Sequence, residues 1–128
     1  MNTTFNPAVL HTPAGAYSRI VQVPGDARWT VLSGQIGLRP DGSVPDGIEE
    51  QTEQTYANIK TALGVTGLGL EDVVKFTVYL TDAAFIEPFF GVRARVLGTH
   101  RPASTLLIVS GLMKPEWHIE IDCIAAQS

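Results

Sequence analysis

The chain has 128 residues, of which 45% are apolar and 17% charged, and its formal net charge is −4. This length suits one domain over residues 1–128, and the low charged fraction leaves apolar surface that a subunit interface could cover. The 9 basic residues are scattered, which argues against a nucleic-acid partner. Residues 1–10 do not resemble a signal peptide and no apolar stretch could span a membrane, so we expect a cytoplasmic protein.

The first third of the chain predicts a loop followed by two strands. The first 16 residues are rich in Pro, Gly and Ala, which is typical of an ordered loop. Two runs of strand-forming residues follow, Arg19–Val23 and Trp29–Ile36. The turn residues Pro24, Gly25 and Asp26 lie between them, and together they predict a hairpin. Gly34 inside the second run indicates a bulge or a close approach to another part of the chain.

The rest of the chain predicts two helices and three more strands. Apolar residues at helical spacing predict helices over Gly47–Leu63 and Ala83–Leu97. Alternating apolar residues predict strands over Val73–Leu80, Ala103–Val109 and His118–Ala125. The order β-β-α-β-α-β-β predicts an α+β fold in which a mixed sheet carries both helices on one face. The uncovered face of such a sheet would need a partner, so we expect self-association.

The last predicted strand carries the polar residues that chemistry could use. His118, Glu120 and Asp122 alternate with residues that predict a core face, so all three are expected to point the same way. One interpretation is a solvated strand face, and the other is a pocket in which Glu120 acts as a general acid or base or holds a water molecule. The three histidines form no metal-binding motif, so we predict no metal. The single cysteine, Cys123, is predicted to be a buried, inert thiol.

Motifs spread over nearly the whole chain resemble those of the Rid family, also called the YjgF or L-PSP family. They occur in the family's order and at its spacing. They are Gly15-Ala16-Tyr17-Ser18, Ser33-Gly34-Gln35, Gln51 with Asn58, Asp72-Val73-Val74-Lys75-Phe76-Thr77-Val78-Tyr79-Leu80-Thr81-Asp82, Pro102-Ala103 and Ile119-Glu120-Ile121-Asp122-Cys123-Ile124-Ala125.

The resemblance implies a chorismate-mutase-like fold and a homotrimer with three pockets between neighbouring subunits. It also implies hydrolysis of reactive enamines and imines to a keto acid and ammonia, without a cofactor. Carried over to this chain, it makes Glu120 the residue that positions the attacking water. It places Tyr17, Ser33 and Gly34 in the lining of the pocket.

One position departs from the family pattern. In the best-known branch an arginine follows the Pro-Ala pair and binds the substrate carboxylate through two parallel hydrogen bonds. This chain has Ser104 there, followed by Thr105, and these side chains offer only neutral hydrogen bonds. Arg101 lies three residues earlier, an odd offset that directs it to the other face of a continuous strand. The sequence leaves open whether Arg101, Arg93 or Arg95, including one from a neighbouring subunit, replaces the missing arginine.

Two hypotheses about function follow. The first is an imine or enamine hydrolase that acts on a small metabolite other than a simple α-imino acid. The alternative is a non-catalytic trimer that binds a small ligand and has a regulatory role. Older family names also suggest ribonuclease activity or inhibition of translation, but the acidic net charge and the scattered basic residues argue against a nucleic-acid substrate.

Overall fold

The computed structural model describes residues Met1 to Ser128 and contains six strands and two α-helices. Short 3-10 helices at Leu70–Asp72 and Ala83–Phe85 lead into the fourth strand and the second helix. In chain order the elements are β1 (Thr3–Phe5), β2 (Ile20–Gln22), β3 (Arg28–Gln35), α1 (Ile48–Val65), β4 (Val73–Leu80), α2 (Ile86–Leu97), β5 (Ala103–Ile108) and β6 (Ile119–Gln127).

The main sheet has four strands in the order β3-β6-β4-β5. Strand β6 pairs antiparallel with both β3 and β4, whereas β4 and β5 are parallel. The parallel pair requires a crossover connection, which α2 supplies. The predicted mixed α+β sheet is therefore confirmed, with the last strand of the chain at an interior position.

The predicted hairpin of the first two strand-forming runs is wrong. Strand β2 pairs with β1 in a separate two-stranded sheet, in which Phe5 lies opposite Ile20. Residues 3–5 were predicted as loop and instead form β1. The turn after β2 does form, since the Ala27 amide donates to the Pro24 carbonyl at 3.2 Å. Strand β3 nevertheless pairs with β6, because burial between distant parts of the chain outweighs a local turn signal.

The hydrophobic core lies between one face of the main sheet and the two helices. Its largest members are fully buried and come from both layers, as the predicted periodicities require. They are Tyr56, Ile59 and Leu63 of α1, Phe89 and Val92 of α2, and Phe76, Val78, Leu80, Ile119 and Ile121 of the sheet. The other face of the sheet, which we call the open face, has no helix against it.

Local features of the sequence stabilise the N-terminal ends of both helical segments. Helix α1 begins with Glu49 and Glu50 in its first turn, where carboxylates stabilise the helix dipole. Asp82 caps the 3-10 turn that leads into α2, where its carboxylate accepts a hydrogen bond from the Ala84 amide at 2.9 Å. Neither helix combines the length and the apolar character needed to cross a membrane.

Candidate functional site

Glu120 lies on the open face of the sheet, as the second residue of β6. Across the strand pair it is directly opposite Tyr79 of β4. Its neighbours along the strand, Ile119 and Ile121, are fully buried on the helix-covered face. The Glu120 side chain is half-buried and forms no ion pair. Its carboxylate oxygens are therefore available to accept hydrogen bonds from a ligand or a water molecule.

Glu120 reaches over the backbone of Gly34 on the neighbouring strand. The register between β3 and β6 shifts between Leu32 and Gln35, so the bulge predicted from Gly34 is present. A Cβ atom at Gly34 would overlap Glu120 Oε2 and lie 2.8 Å from Cδ, so a side chain there would displace the carboxylate from this position. Ser33 occupies the same bulge, where its carbonyl accepts a hydrogen bond from Gln35 Nε2 at 3.2 Å. The missing side chain at Gly34 is what leaves room for the carboxylate.

The two polar neighbours expected beside Glu120 have different positions. Asp122 shares the open face and accepts a hydrogen bond from the Tyr79 hydroxyl at 2.9 Å. This bond raises the pKa of Tyr79, and the nearby charge of Glu120 adds to the effect. His118 precedes β6, and its ring lies 5.0 Å from that of Phe85. The polar face therefore contains Glu120, Asp122 and Tyr79, of which Tyr79 was not predicted as a site residue.

Ser104 and Thr105 lie on opposite faces of the sheet. Ser104 is in register with Phe76, a core residue, and so belongs to the helix-covered face. Thr105 is in register with Thr77 on the open face and accepts a hydrogen bond from Lys75 Nζ. Two strand spacings, roughly 10 Å, separate β5 from β6. Within one chain, Ser104 and Glu120 therefore do not face a common pocket.

Tyr17 lies near the start of β5, away from Glu120. The following residue, Ser18, donates its backbone N–H to the Pro102 carbonyl at 3.0 Å, which holds this segment beside β5. The Tyr17 hydroxyl accepts a hydrogen bond from the Ala14 amide at 3.4 Å. The loop of residues 14–18 thus brings Tyr17 to the edge strand that carries Ser104.

The three arginines considered as replacements have distinct environments. Arg101 Nη1 donates to the carbonyls of Gly98 and His100 at 2.6 and 3.1 Å, and so binds the C-terminal end of α2. Arg95 forms an ion pair with Glu53 at 2.7 Å on the exposed side of the helices. Arg93 is buried and contacts Gly15. Arg93 therefore lies beside the segment that carries Tyr17.

Sequence reasoning did not single out Arg93, although a signal was present. It follows Phe89 by four residues and therefore falls on the buried stripe of α2. A charged residue on a stripe that must be buried is uncommon and calls for a specific partner. The apolar spacing that predicted α2 could have identified this exception.

Several predicted site residues, together with their neighbours in the structure, therefore fall into two groups that a single chain does not join. We call Gly34, Tyr79 and Glu120 the sheet group, and Gly15, Tyr17, Arg93 and Ser104 the edge group. Four pockets occur on the surface of the chain, and Tyr17, Ser104 and Glu120 line none of them. No three His, Cys, Asp or Glu side chains lie close enough together to hold a metal ion.

Known proteins similar to this chain cover nearly its whole length. A model of the family described as Endoribonuclease L-PSP matches residues 9–127. Protein HMF1 of Saccharomyces cerevisiae is 34% identical over 131 residues, which cover 99% of this chain and 98% of the relative. A RutC family protein of Pyrococcus horikoshii is 36% identical over 115 residues and 88% of either chain.

Solved structures agree with these relatives. A Rid family protein of unknown function from Yersinia pestis, YyfB, has a TM-score of 0.88 over 98% of both chains, and at 24% identity it shows the fold alone. TdcF of E. coli, solved with bound serine, is 28% identical with a TM-score of 0.75, over 89% of this chain and 92% of its own. From the family match, the relatives and the shared fold, we conclude that this chain belongs to the Endoribonuclease L-PSP family, also known as the Rid or YjgF family.

Proposed function

We propose that the protein is a cofactor-independent hydrolase of a small imine or enamine other than a simple α-imino acid. The observation that carries this proposal is the Glu120 carboxylate above the side-chain-free Gly34. It is half-buried, forms no ion pair, and lies beside Asp122, whose carboxylate is already bound by Tyr79. A positioned carboxylate without a protein partner suits a residue that orients and deprotonates water.

The reaction needs only water and one group that exchanges protons. The water oxygen forms a bond to the imine carbon while Glu120 takes a proton from it. Glu120 then returns this proton to the nitrogen. A second proton passes from the new hydroxyl group through Glu120 to the nitrogen, the C–N bond breaks, ammonia leaves, and a C=O bond forms in its place. An enamine enters the same sequence after protonation to its imine.

The substrate class is inferred from the edge group. Ser104 occupies the position after Pro102-Ala103 and has a hydroxyl group, which cannot form a charged two-point contact with a carboxylate. A simple α-imino acid would therefore lack the anchor that the family resemblance implies at this position. The relative TdcF binds serine, which favours a small metabolite as the ligand. We therefore assign to this chain an imine or enamine whose polar groups are placed differently.

We also propose that the working site lies between two subunits of a homotrimer. The sheet group and the edge group are separated within one chain, so a neighbouring copy has to bring them together. The open face supplies a surface for this contact, since the large apolar residues Trp29 and Val31 of β3 and Leu107 of β5 are 57%, 72% and 46% exposed. Apolar side chains on a helix-free sheet face are typical of a subunit interface.

The hydrolase proposal is tested with imines generated in solution from a panel of amino acids and amines by an oxidase. The release of ammonia is followed with and without the protein. We expect turnover of at least one imine, and Glu120→Gln should lower kcat by roughly a hundredfold or more. Gly34→Ala should also lower kcat, because its new Cβ would displace the carboxylate. Gly25→Ala is the matched control, since nothing lies within 4 Å of its Cβ position.

The second candidate function is a non-catalytic trimer that binds a small ligand, and Ser104 in place of the family arginine favours it. The same panel separates the two functions. Full activity of Glu120→Gln would contradict the role of this carboxylate. Absence of turnover across the panel, together with a ligand that raises the melting temperature, would establish the binding function instead.

A further inference from the structure

Arg93 is a charged residue held in an apolar environment. Its side chain is 5% exposed, on the face of α2 that packs toward the core. The guanidinium carbon lies 4.6 Å from the centre of the Phe90 ring and 5.4 Å from that of Phe89. These cation–π contacts stabilise the flat faces of the guanidinium. The N–H groups around its edge still require hydrogen-bond acceptors.

The chain provides few acceptors for that edge. A guanidinium has five N–H donors, and Arg93 Nε is fully buried without a hydrogen-bond partner. The structure's one ion pair joins Arg95 to Glu53 and leaves Arg93 without a carboxylate. Leaving a charged donor buried and unpaired is costly, and buried charges are normally paired. An acceptor from outside the chain would satisfy Arg93.

The Nη2 end of the guanidinium lies against the Gly15–Tyr17 segment. Arg93 Nη2 lies 2.7 Å from the position that a Cβ atom of Gly15 would occupy, and the Tyr17 ring lies 3.9 Å from the same point. Burial lowers the pKa of Arg93, and the positive charge of Arg101 lowers it further. The other ionisable groups that act on it are Tyr17 and Tyr56, and no carboxylate is among them. The local field therefore favours an anion.

We propose that Arg93 is an anion-binding residue that takes the carboxylate of a small ligand against the Gly15–Tyr17 segment. This inference deepens the proposed function, because the ligand would be the substrate of that site. The charged contact would come from α2 instead of from position 104 on β5. The substrate is then a carboxylate-bearing imine or enamine in which the carboxylate and the reacting carbon are spaced differently from those of a simple α-imino acid.

The binding test uses matched pairs of probes that differ in charge and hardly in shape. These are benzoate with benzamide, and pyruvate with pyruvamide, each titrated by calorimetry into the full-length protein. At least one carboxylate should bind, and its amide partner should bind at least tenfold more weakly. Arg93→Leu should weaken carboxylate binding by roughly tenfold to a hundredfold, because a charged hydrogen-bonded contact is lost. Arg95→Gln is the control and should bind like the wild type, since it removes an exposed arginine from the same helix.

Two further variants keep the test decisive if Arg93→Leu does not fold. Arg93→Lys retains the charge but loses the forked geometry, so we expect intermediate affinity. Gly15→Ala leaves the arginine in place and puts a methyl group in the path of Nη2, so it should selectively weaken the carboxylate. The proposal is overturned if neither carboxylate binds the wild type, if amides bind equally well, or if carboxylate affinity is unchanged in the Arg93 and Gly15 variants.

Glu120→Gln separates this inference from the proposed hydrolase. Carboxylate binding should persist in that variant while turnover is lost. If turnover also persisted, the role assigned to Glu120 would fail and Arg93 would remain an anion-binding residue. If turnover were lost in Glu120→Gln but carboxylate affinity did not depend on Arg93, the hydrolase would stand and the present inference would fail.

Discussion

At the scale of single residues, the side chains at the start of β6 alternate between the polar open face and the buried core. Glu120 and Asp122 lie on the open face, while Ile121 and Cys123 are buried beneath the helices. The lone cysteine is thus within one residue of the acidic face and still belongs to the core. Burial raises the pKa of Cys123 to about 11, and the charge of Asp122 adds to this effect.

The raised pKa of Cys123 predicts a loss of stability at alkaline pH. In the unfolded chain the thiol ionises near pH 9, whereas in the folded chain it keeps its proton until about pH 11. Its stabilising contribution is therefore complete below pH 9 and is lost as the pH rises to 11, by roughly 2 to 3 kcal/mol. Urea unfolding from pH 8 to 11 should show a steeper decline for wild type than for Cys123→Ala. Parallel pH profiles of the two proteins would contradict this prediction.

At the scale of secondary-structure elements, α1 is fixed to the rest of the fold through Gln51. This buried side chain donates to the carbonyls of Pro45 and Glu116 at 2.8 and 2.9 Å and accepts from the His118 amide at 2.9 Å. It therefore connects the segment before α1 with the loop that leads into β6. The position of Glu120, two residues after His118, depends on this loop.

Replacing Gln51 should destabilise the protein by more than an average substitution. Gln51→Leu removes three hydrogen bonds and leaves buried backbone groups without partners, so the free energy of unfolding should fall by about 3 kcal/mol. Lys60→Ala, on the exposed side of α1, should change it by less than about 0.5 kcal/mol. Chemical denaturation of the two variants and the wild type measures both effects. Equal stabilities would show that Gln51 is not the anchor of this loop.

The elements also show which predictions depend on local sequence. Helix α1 was predicted over Gly47–Leu63 and occupies Ile48–Val65, and β4 has the predicted bounds Val73–Leu80. The apolar residues of both elements recur at a regular spacing, and the face that this spacing predicts to be buried is buried in the structure. The hairpin prediction was wrong because a turn motif determines only that the chain reverses direction, and not which strands then pair. The partner of β3 is β6, and the residues that pair lie 86 to 99 positions apart in the sequence.

At the scale of the whole molecule, the open face is the surface through which we propose that subunits assemble. Val31 of β3 lies on this face in register with Ile124, whereas Val65 lies at the end of α1. The two valines are 72% and 85% exposed, so neither contributes much to the core of one chain. They form a matched pair of positions for testing where subunits meet.

A charge at Val31 should disrupt the proposed trimer. Sedimentation of the wild type should give about 41 kDa, the mass of three 13.8 kDa chains. Val31→Lys should shift the mass toward that of one chain, because burying an unpaired ammonium at an interface is costly. Val65→Lys should keep the wild-type mass. A monomeric wild type, or a Val31→Lys variant that remains trimeric, would contradict the assignment of this face.

The sequence by itself determined the family, the α+β class, the helices and strands with regular apolar periods, and Gly34 and Glu120 as special positions. These features follow from local periodicity and from motifs that keep their spacing along the chain. Tertiary structure alone decided that β6 lies inside the sheet and that Ser104, not Thr105, faces the helices. It also decided that Arg93, of three arginines, lies beside Gly15 and Tyr17. Contacts between residues far apart in sequence set these positions, and no local pattern encodes them.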